Sequence, residues 1–304
     1  MTFEPPQLRR LVHYTERRNP MRSIHLTCPD HPEATLEGYL LDCRITLGQD
    51  TARPAVIVCP GGGYIYCSDA EGEPVALAYT AAGFHAFVLR YSTGKNAAGF
   101  APLQEVSWAV GLLRENAEAW NIDPEKIVVC GFSAGGHLAL SSGVLAENKP
   151  NAMILGYPAV SCPNMPGADF MLKFLTGKEN PTNEDAAQFD LVPQITKQTP
   201  PAFIMATAED FLTTFGALPL SQKYAQLGLP YELHVFNFGR HGLSLASEPS
   251  ANGSTNYLDP SFSQWHGLSV LWIKRTLGQP QFVDKSNSKM AHYLKEQGIQ
   301  IPGF

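Results

Sequence analysis

A short apolar run that leads straight into a glycine-flanked serine is the feature that most constrains this chain. Residues 127–130 read Ile-Val-Val-Cys, which is typical of a strand buried on both faces, and Gly-Phe-Ser-Ala-Gly follows. A helical pattern then begins at once and covers residues 134–146. The turn between strand and helix is so sharp that a side chain two residues before or after Ser133 would collide with the neighbouring strand or helix. This explains the glycines at those two positions. The pattern predicts a tight turn that projects the Ser133 hydroxyl.

Other apolar runs alternate with helical patterns along most of the chain. The runs of strand type are residues 24–26, 36–45, 55–59, 86–89, 152–156, 203–207 and 232–236, and the helical patterns are residues 73–82, 103–120, 214–227 and 268–277. This alternation predicts an α/β fold, with a mostly parallel central sheet and helices on both faces, in a three-layer α/β/α sandwich. In such sheets, functional sites lie at the carboxyl ends of the strands.

The length of 304 residues is compatible with a single domain over 1–304. Residues 1–22 form a polar, proline-bearing stretch that we interpret as an N-terminal arm, and 281–304 form a polar C-terminal tail. Residues 158–201 interrupt the alternation and are too long for an ordinary loop. We interpret them as a lid or pocket insertion with one helical piece near 170–175. A surface excursion without a role is the alternative.

Charge and composition indicate which classes of binding partner and which cell compartment to expect. Lys plus Arg number 22 and Asp plus Glu 28, so the net charge is -6, and with no basic run we expect neither nucleic acid nor membrane as a partner. No stretch of about 18 apolar residues predicts a membrane span, and no secretory signal follows the first residues. The six cysteines form no C-x-x-C pair, which favours reduced thiols and a cytoplasmic protein. A homodimer is an open alternative to a monomer.

Ser133 is a candidate nucleophile, since backbone N–H groups at the start of the following helix lie next to its hydroxyl. The alternative is that Ser133 only caps this helix. A match to G-x-S-x-G is frequent by chance, so the choice between these interpretations depends on whether partner residues occur elsewhere in the chain.

A second glycine-rich segment, residues 60–64, reads Pro-Gly-Gly-Gly-Tyr and follows the apolar run at 55–59. Glycine N–H groups can approach a reacting atom closely because no Cβ intervenes. We predict that the N–H groups of Gly62, Gly63 and Ala134 form an oxyanion hole, which acyl transfer needs. A phosphate-binding loop is excluded, because no Lys-Ser/Thr pair follows and the G-x-G-x-x-G spacing is absent. A flexible turn without a role is the remaining alternative.

His241 is the predicted general base. It lies between glycines, directly after the last predicted strand, which suits a loop histidine that must reach another strand's end. An imidazole, with an ordinary pKa of about 6.5, can take the serine proton and return it to a leaving group. Three other histidines fit less well: His137 lies within the helix after the serine, His234 within a strand and His266 near the C-terminal helix.

Asp210 is the predicted acid of a Ser-His-Asp triad. It follows the apolar run at 203–207 and lies 31 residues before His241. A carboxylate there would hold the imidazole in one tautomer and stabilise the imidazolium. Glu209 is the alternative, but adjacent side chains point in different directions, so only one of the two can serve. The chain order of serine, aspartate and histidine is that of one hydrolase fold. No His or Cys pair has metal-ligand spacing, so we expect neither a metal nor another cofactor.

With these residues, the chain resembles the α/β-hydrolase esterases, and more narrowly the bacterial acetyl-esterase and acetylxylan-esterase-like group, related to the hormone-sensitive-lipase family. The segments that carry the resemblance are 58–64, 86–91, 121–124, 129–137, 155–158, 207–210 and 232–242. The lipase relatives have histidine where this chain has Pro60. That histidine is structural in those relatives, so the oxyanion role of Gly62 and Gly63 is retained.

The resemblance implies carboxylic-ester hydrolysis through an acyl-serine intermediate, with a small-molecule ester as substrate. It favours short acyl groups, chiefly acetyl, removed from carbohydrate or other small esters. We predict that Tyr64, Tyr91 and part of 158–201 line the substrate pocket. Two alternatives stay open: a serine peptidase of the prolyl-oligopeptidase type, which ordinarily carries a large propeller domain, and a non-catalytic interaction protein on the same fold.

Overall fold

The computed structural model describes residues 21–41, 52–161, 165–278 and 289–300. The strands are β1 (Arg22–Thr27), β2 (Thr35–Leu40), β3 (Arg53–Cys59), β4 (His85–Arg90), β5 (Ile122–Phe132), β6 (Ala152–Gly156), β7 (Ala202–Thr207) and β8 (Tyr231–Phe236). Within these residues they form one eight-stranded sheet in the order β1-β2-β4-β3-β5-β6-β7-β8. β2 is antiparallel to β1 and β4, and every other neighbouring pair is parallel.

Helices follow most of the parallel strands. They are α1 (Glu73–Ala81), α2 (Ala101–Glu115), α3 (Ala117–Trp120), α4 (Ala134–Val144), α5 (Ala168–Thr176), α6 (Asn183–Phe189), α7 (Leu218–Leu227), α8 (Trp265–Thr276) and α9 (Lys289–Glu296). α2 packs against α4. α1 meets α8, where the Tyr79 hydroxyl lies 2.8 Å from Ser269 Oγ and the Tyr79 ring contacts Trp265. The predicted α/β sandwich, a mostly parallel sheet between helical layers, is confirmed.

Burial along the strands explains why these residues form a central sheet. Every residue of β3, β6 and β7 is buried. Continuous apolar sequences of this kind suit strands with a covered face on each side. The edge strand β8 instead contains only exposed and half-buried residues. The core therefore runs along both faces of the middle strands.

The strand order creates a crevice at one edge of the sheet. From β3 the chain moves outward to β4 and then crosses back to β5, on the other side of β3. The loops that follow β3 and β5 consequently leave the sheet side by side, at the carboxyl ends of the strands. This is the topological switch point at which open α/β sheets bind their ligands. The predicted glycine loop and Ser133 both lie there.

Two elements differ from the sequence-based expectation. The helix predicted over 103–120 is divided at Asn116, whose backbone has φ -100° and ψ 15°. The Asn116 side chain donates to the Leu112 carbonyl at 2.9 Å and so competes with the helical ladder. β5 begins at Ile122, five residues before the apolar run, because its first part pairs with Arg53.

The predicted insertion, residues 158–201, contains two helices in its described part. The expected helical piece lies within α5, and α6 begins at a capping box between Thr182 and Asp185. Of the predicted arm, residues 1–20 lie outside the described residues, and of the C-terminal tail only 289–300 is described.

The cysteines of the described segments are free: Cys28, Cys59, Cys67 and Cys130. Cys43 and Cys162 lie outside the described residues. None of the helices in the described part of the chain is long and apolar enough to cross a membrane.

Candidate active site

Ser133 lies at the turn between β5 and α4, in a backbone conformation that L-residues rarely adopt, with φ 52° and ψ -117°. The flanking glycines make this turn sterically possible. A Cβ on Gly131 would lie 2.0 Å from the Gly135 carbonyl oxygen, and one on Gly135 would lie 2.1 Å from the Cys59 carbonyl oxygen. The turn is therefore pressed against the end of β3, and this packing holds the strained conformation of the serine.

The structure brings Ser133, His241 and Asp210 together from the ends of three strands. His241 Nε2 lies 2.9 Å from Ser133 Oγ, and His241 Nδ1 lies 2.8 Å from Asp210 Oδ2. Asp210 follows β7 and His241 follows β8, as the sequence predicts. The histidine side chain is 28% exposed, whereas the aspartate side chain is only 1% exposed.

The neighbouring acids Asp210 and Glu209 have different partners. The second carboxylate oxygen of Asp210, Oδ1, accepts the Leu212 N–H at 2.9 Å, so both of its oxygens are hydrogen-bonded. Glu209 is exposed and accepts the Gly239 N–H at 2.9 Å. Of the two candidates, it is therefore Asp210 that contacts His241.

The other histidines have structural partners or no access to the serine. His137 is fully buried, and burial lowers its pKa to about 4. Its Nε2 donates to the Phe189 carbonyl at 3.0 Å, so its Nδ1 accepts the Tyr64 hydroxyl at 2.8 Å. His234 lies 2.8 Å from a carboxylate of its own strand. Burial also lowers the pKa of His266 to about 4.

The glycine loop after β3 lies beside the serine, since a Cβ on Gly61 would be 3.1 Å from Ser133 Cβ. Gly62 and Gly63 have φ of 124° and 64°, conformations that favour glycine. Among the described residues, the N–H groups of Gly62, Gly63 and Ala134 form no hydrogen bond. These three donors are therefore free to bind a negatively charged oxygen.

The structure places Tyr64 and Tyr91, predicted from the sequence to line the substrate pocket, in the interior instead of at an exposed surface. Tyr64 is 0% exposed and Tyr91 is 2% exposed, so neither side chain has surface for a substrate. Tyr64 packs against Tyr91 with ring centroids 5.6 Å apart and reaches His137 with its hydroxyl. The Tyr91 hydroxyl donates to the Pro60 carbonyl at 2.6 Å. Tyr91 therefore holds the start of the glycine loop at Pro60, and Tyr64 anchors its end to His137.

Two buried residues near the site were not predicted from the sequence. The Glu71 carboxylate accepts the Gly61 N–H at 2.8 Å and the Tyr157 hydroxyl at 2.6 Å. The Tyr157 ring lies against His241, with centroids 5.0 Å apart. Glu71 stands in a polar stretch of the sequence that carries no signal of burial, and only the tertiary contacts reveal its position.

Exposed apolar side chains adjoin the predicted catalytic residues. Phe211 is 50% exposed, and its ring centroid lies 5.3 Å from that of His241. Ile65 and Tyr66, directly after the glycine loop, are 44% and 59% exposed. Phe211 therefore presents apolar surface beside His241, and Ile65 and Tyr66 present it directly after the glycine loop.

A cavity of about 520 Å³ lies apart from the predicted catalytic residues, between α5, α6 and the segment that precedes α2. It is lined by Gly99, Phe100, Leu145, Leu175, Thr176, Lys178, Asp185, Gln188, Phe189 and Gln194. The lining does not include the predicted catalytic residues, so a lid or pocket role for 158–201 stays a prediction. Within the described segments, no three His, Cys, Asp or Glu side chains are grouped so that they could hold a metal ion.

The chain is similar to known proteins over most of its length. The family model BD-FAE matches residues 41–160, which contain the glycine loop and Ser133. The chain is 33% identical to endo-1,4-beta-xylanase B of Butyrivibrio fibrisolvens over 72% of its length, and 26% identical to an acetylxylan esterase of Xylanibacter ruminicola over 66%. It spans only 35% and 43% of the lengths of these two relatives.

Solved structures match over nearly their whole length. An alpha/beta hydrolase enzyme from a Medee basin deep-sea metagenome library, MGS-M1, is 35% identical with a TM-score of 0.73, covering 86% of this chain and 99% of that one. The carboxylesterase Cest-2923 of Lactobacillus plantarum is 27% identical with a TM-score of 0.73, covering 86% and 100%. The chain belongs to the α/β-hydrolase family and is similar to its carboxylesterase and acetylxylan-esterase members.

Proposed function

We propose that this protein hydrolyses carboxylic esters through an acyl-serine intermediate, with Ser133 as nucleophile, His241 as base and Asp210 as the acid that orients it. The observation that carries the proposal is the continuous hydrogen-bonded arrangement of the three side chains, at 2.9 Å and 2.8 Å. The similarity to esterases supports the same reaction.

The proton positions follow from the donors and acceptors. An ionised carboxylate only accepts, so Asp210 keeps the imidazole proton on Nδ1 and leaves Nε2 free to accept from Ser133. Ser133 Oγ attacks the ester carbonyl carbon while His241 Nε2 takes its proton, and the alcohol then leaves with that proton. Water attacks the acyl-serine in the same way, which releases the carboxylic acid and restores Ser133.

The free N–H groups of Gly62, Gly63 and Ala134 are proposed to stabilise the oxyanion of each tetrahedral intermediate. They belong to two elements, the glycine loop and the first turn of α4, which lie side by side at Ser133. Losing one such donor typically costs about 3 kcal/mol of transition-state stabilisation.

For the substrate, we propose short acyl groups, chiefly acetyl, on carbohydrate or other small alcohols. The similarity to an acetylxylan esterase supports this choice. The exposed faces of Tyr66 and Phe211 support it too, because aromatic rings provide rigid apolar surface for the apolar face of a sugar ring.

Two measurements test the proposal. Incubation with a fluorophosphonate, followed by peptide mass spectrometry, should give an adduct on Ser133 in the wild type and none in Ser133→Ala. A p-nitrophenyl ester series should show acetate hydrolysed faster than octanoate. An unlabelled Ser133 in folded protein would exclude the serine mechanism, and faster octanoate hydrolysis would exclude the short-acyl preference.

A further inference from the structure

Glu71 is a buried carboxylate that the proposed reaction does not use. It ends the short 3-10 helix Asp69–Glu71 after the glycine loop and is only 4% exposed. A carboxylate is buried in a protein only when donors surround it. Here Gly61 donates to Oε2 at 2.8 Å, Tyr157 donates to Oε1 at 2.6 Å, and the Ser68 side chain also hydrogen-bonds to it. Three donors converge on one anionic group, directly behind the glycine loop.

The pKa of the Glu71 carboxyl is raised above its ordinary value, because burial outweighs the hydrogen bonds from Tyr157 and Gly61 and the nearby His241, which act in the opposite direction. An ionised carboxylate accepts all three hydrogen bonds, whereas a protonated one would direct its own hydrogen at a donor. The hydrogen-bond pattern therefore fits the ionised form.

Tyr157 extends the contact to the loop that carries the histidine. Its hydroxyl oxygen accepts the Ser244 N–H at 2.9 Å, three residues beyond His241, and its ring packs on the imidazole. The Ser244 hydroxyl in turn donates to the Ala70 carbonyl at 2.6 Å. The backbone of Tyr157 has a φ of 34°, a conformation that persists only where the surroundings hold it.

We propose that Glu71 and Tyr157, here called the Glu71–Tyr157 pair, are positioning residues for the reaction proposed above, on which this inference rests. Through one carboxylate, the pair fixes the glycine loop at Gly61 and the histidine loop at Ser244. It thereby sets the oxyanion donors and the general base relative to each other, although they follow different strands. Neither residue transfers a proton in the proposed reaction: the Tyr157 ring packs on the His241 imidazole, and the Glu71 carboxylate acts through Gly61 and Tyr157.

The phosphorylation of Ser133 by diisopropyl fluorophosphate tests this role without knowledge of the natural substrate. In that reaction Ser133 Oγ displaces fluoride from phosphorus, and His241 takes the serine proton. It needs both the base and the oxyanion donors, so the maximal rate constant kinact reports their alignment, while KI reports binding of the reagent. Both constants are measured for the wild type, Glu71→Gln, Tyr157→Phe and the double variant.

The expected result is a fall in kinact of roughly ten- to hundredfold in each single variant, because misplacing reacting groups by about 1 Å can cost that much. KI should stay within about threefold. Since the two residues act as one unit, the double variant should react no more than about threefold slower than the slower single variant.

Tyr224→Phe is the matched control. Tyr224 is fully buried, and its hydroxyl donates to the Pro200 carbonyl at 2.9 Å, far from the glycine loop. This variant should lose stability in urea, as Tyr157→Phe should, yet keep the kinact of the wild type. If Glu71→Gln does not fold, Tyr157→Phe, which removes one oxygen only, tests the proposal alone.

The outcomes separate the positioning role from the proposed function. If the wild type is not labelled on Ser133, the proposed function fails and the positioning role fails with it. If the wild type is labelled and the single variants react within about threefold of it, only the positioning role is overturned. Losses that multiply in the double variant, or that appear equally in KI, would also overturn it.

Discussion

The two hydrogen bonds of the Asp210 carboxylate make Asp210→Asn a sharp test of the proposed mechanism. Oδ1 accepts the Leu212 N–H at 2.9 Å, and Oδ2 accepts from His241 at 2.8 Å. An asparagine has one acceptor oxygen in place of two. If that oxygen stays on Leu212, the amide NH₂ faces His241 Nδ1 and donates to it. The imidazole proton then moves to Nε2, which can no longer accept the proton of Ser133.

The other orientation of the amide is costly as well. With its oxygen on His241, the amide leaves the Leu212 N–H facing an NH₂ group inside the protein, a loss of about 1–3 kcal/mol. The neutral amide also replaces a charged acceptor, which weakens the bond to the imidazolium. Together these effects are about 3–5 kcal/mol, so we expect kcat to fall by about 10²- to 10⁴-fold.

The assay is p-nitrophenyl acetate hydrolysis at saturating substrate, with Glu209→Gln as the matched control. Glu209 is the adjacent acid, and its hydrogen bond from the Gly239 N–H can be accepted equally by a glutamine carbonyl. The control should stay within about twofold of the wild type. The reasoning is refuted if Asp210→Asn keeps more than a tenth of the wild-type kcat, or if Glu209→Gln loses as much.

Three further predictions concern packing, pH and binding. Gly135→Ala should lower the free energy of unfolding by about 3 kcal/mol, because the new Cβ would lie 2.1 Å from the Cys59 carbonyl oxygen. Gly267→Ala is the control: it has open space around it in α8 and should raise the free energy of unfolding by about 0.5–1 kcal/mol. Urea midpoints measure both changes. The pKa of His137 in the folded protein, about 4, lies below its ordinary value of about 6.5. As the pH drops, the unfolded chain therefore binds the proton first. The free energy of unfolding should fall between about pH 6.5 and pH 4, by up to about 3 kcal/mol. Urea midpoints across that range should fall less steeply in His137→Gln, and an equal slope would contradict this. Phe211→Ala should raise KM for p-nitrophenyl acetate about fivefold, and an unchanged KM would show that its exposed ring does not contact this substrate.

The parts of the fold that the sequence predicts are those with a local cause. The apolar run before Ser133 predicts a buried strand, and the glycines around Ser133 allow a sharp turn into a helix. A few adjacent residues are therefore enough to predict this strand-to-helix turn. The loops that carry Asp210 and His241 could be identified because each follows an apolar strand. Parallel strands end at the same edge of the sheet, so the three side chains were expected to meet there.

The parts that could not be predicted depend on which surfaces meet in three dimensions. Tyr64 and Tyr91 follow strands at the functional edge, yet packing turns both rings inward, and nothing in their neighbours in the sequence indicates this. Glu71 and Tyr157 are 86 residues apart, and a buried carboxylate is identified only by its donors. The break at Asn116 likewise depends on one side-chain hydrogen bond that competes with the helix.

The backbone conformation of Ser133 has a consequence for inactivation by heat. A φ of 52° is held by contacts among Gly131, Gly135 and Cys59, so the reactive geometry exists only while β3, β5 and α4 are packed together. When heating separates these elements, Ser133 no longer has the contacts that hold its backbone conformation. Loss of the proposed esterase activity and loss of the central sheet should therefore occur at the same temperature, without a folded but inactive species between them.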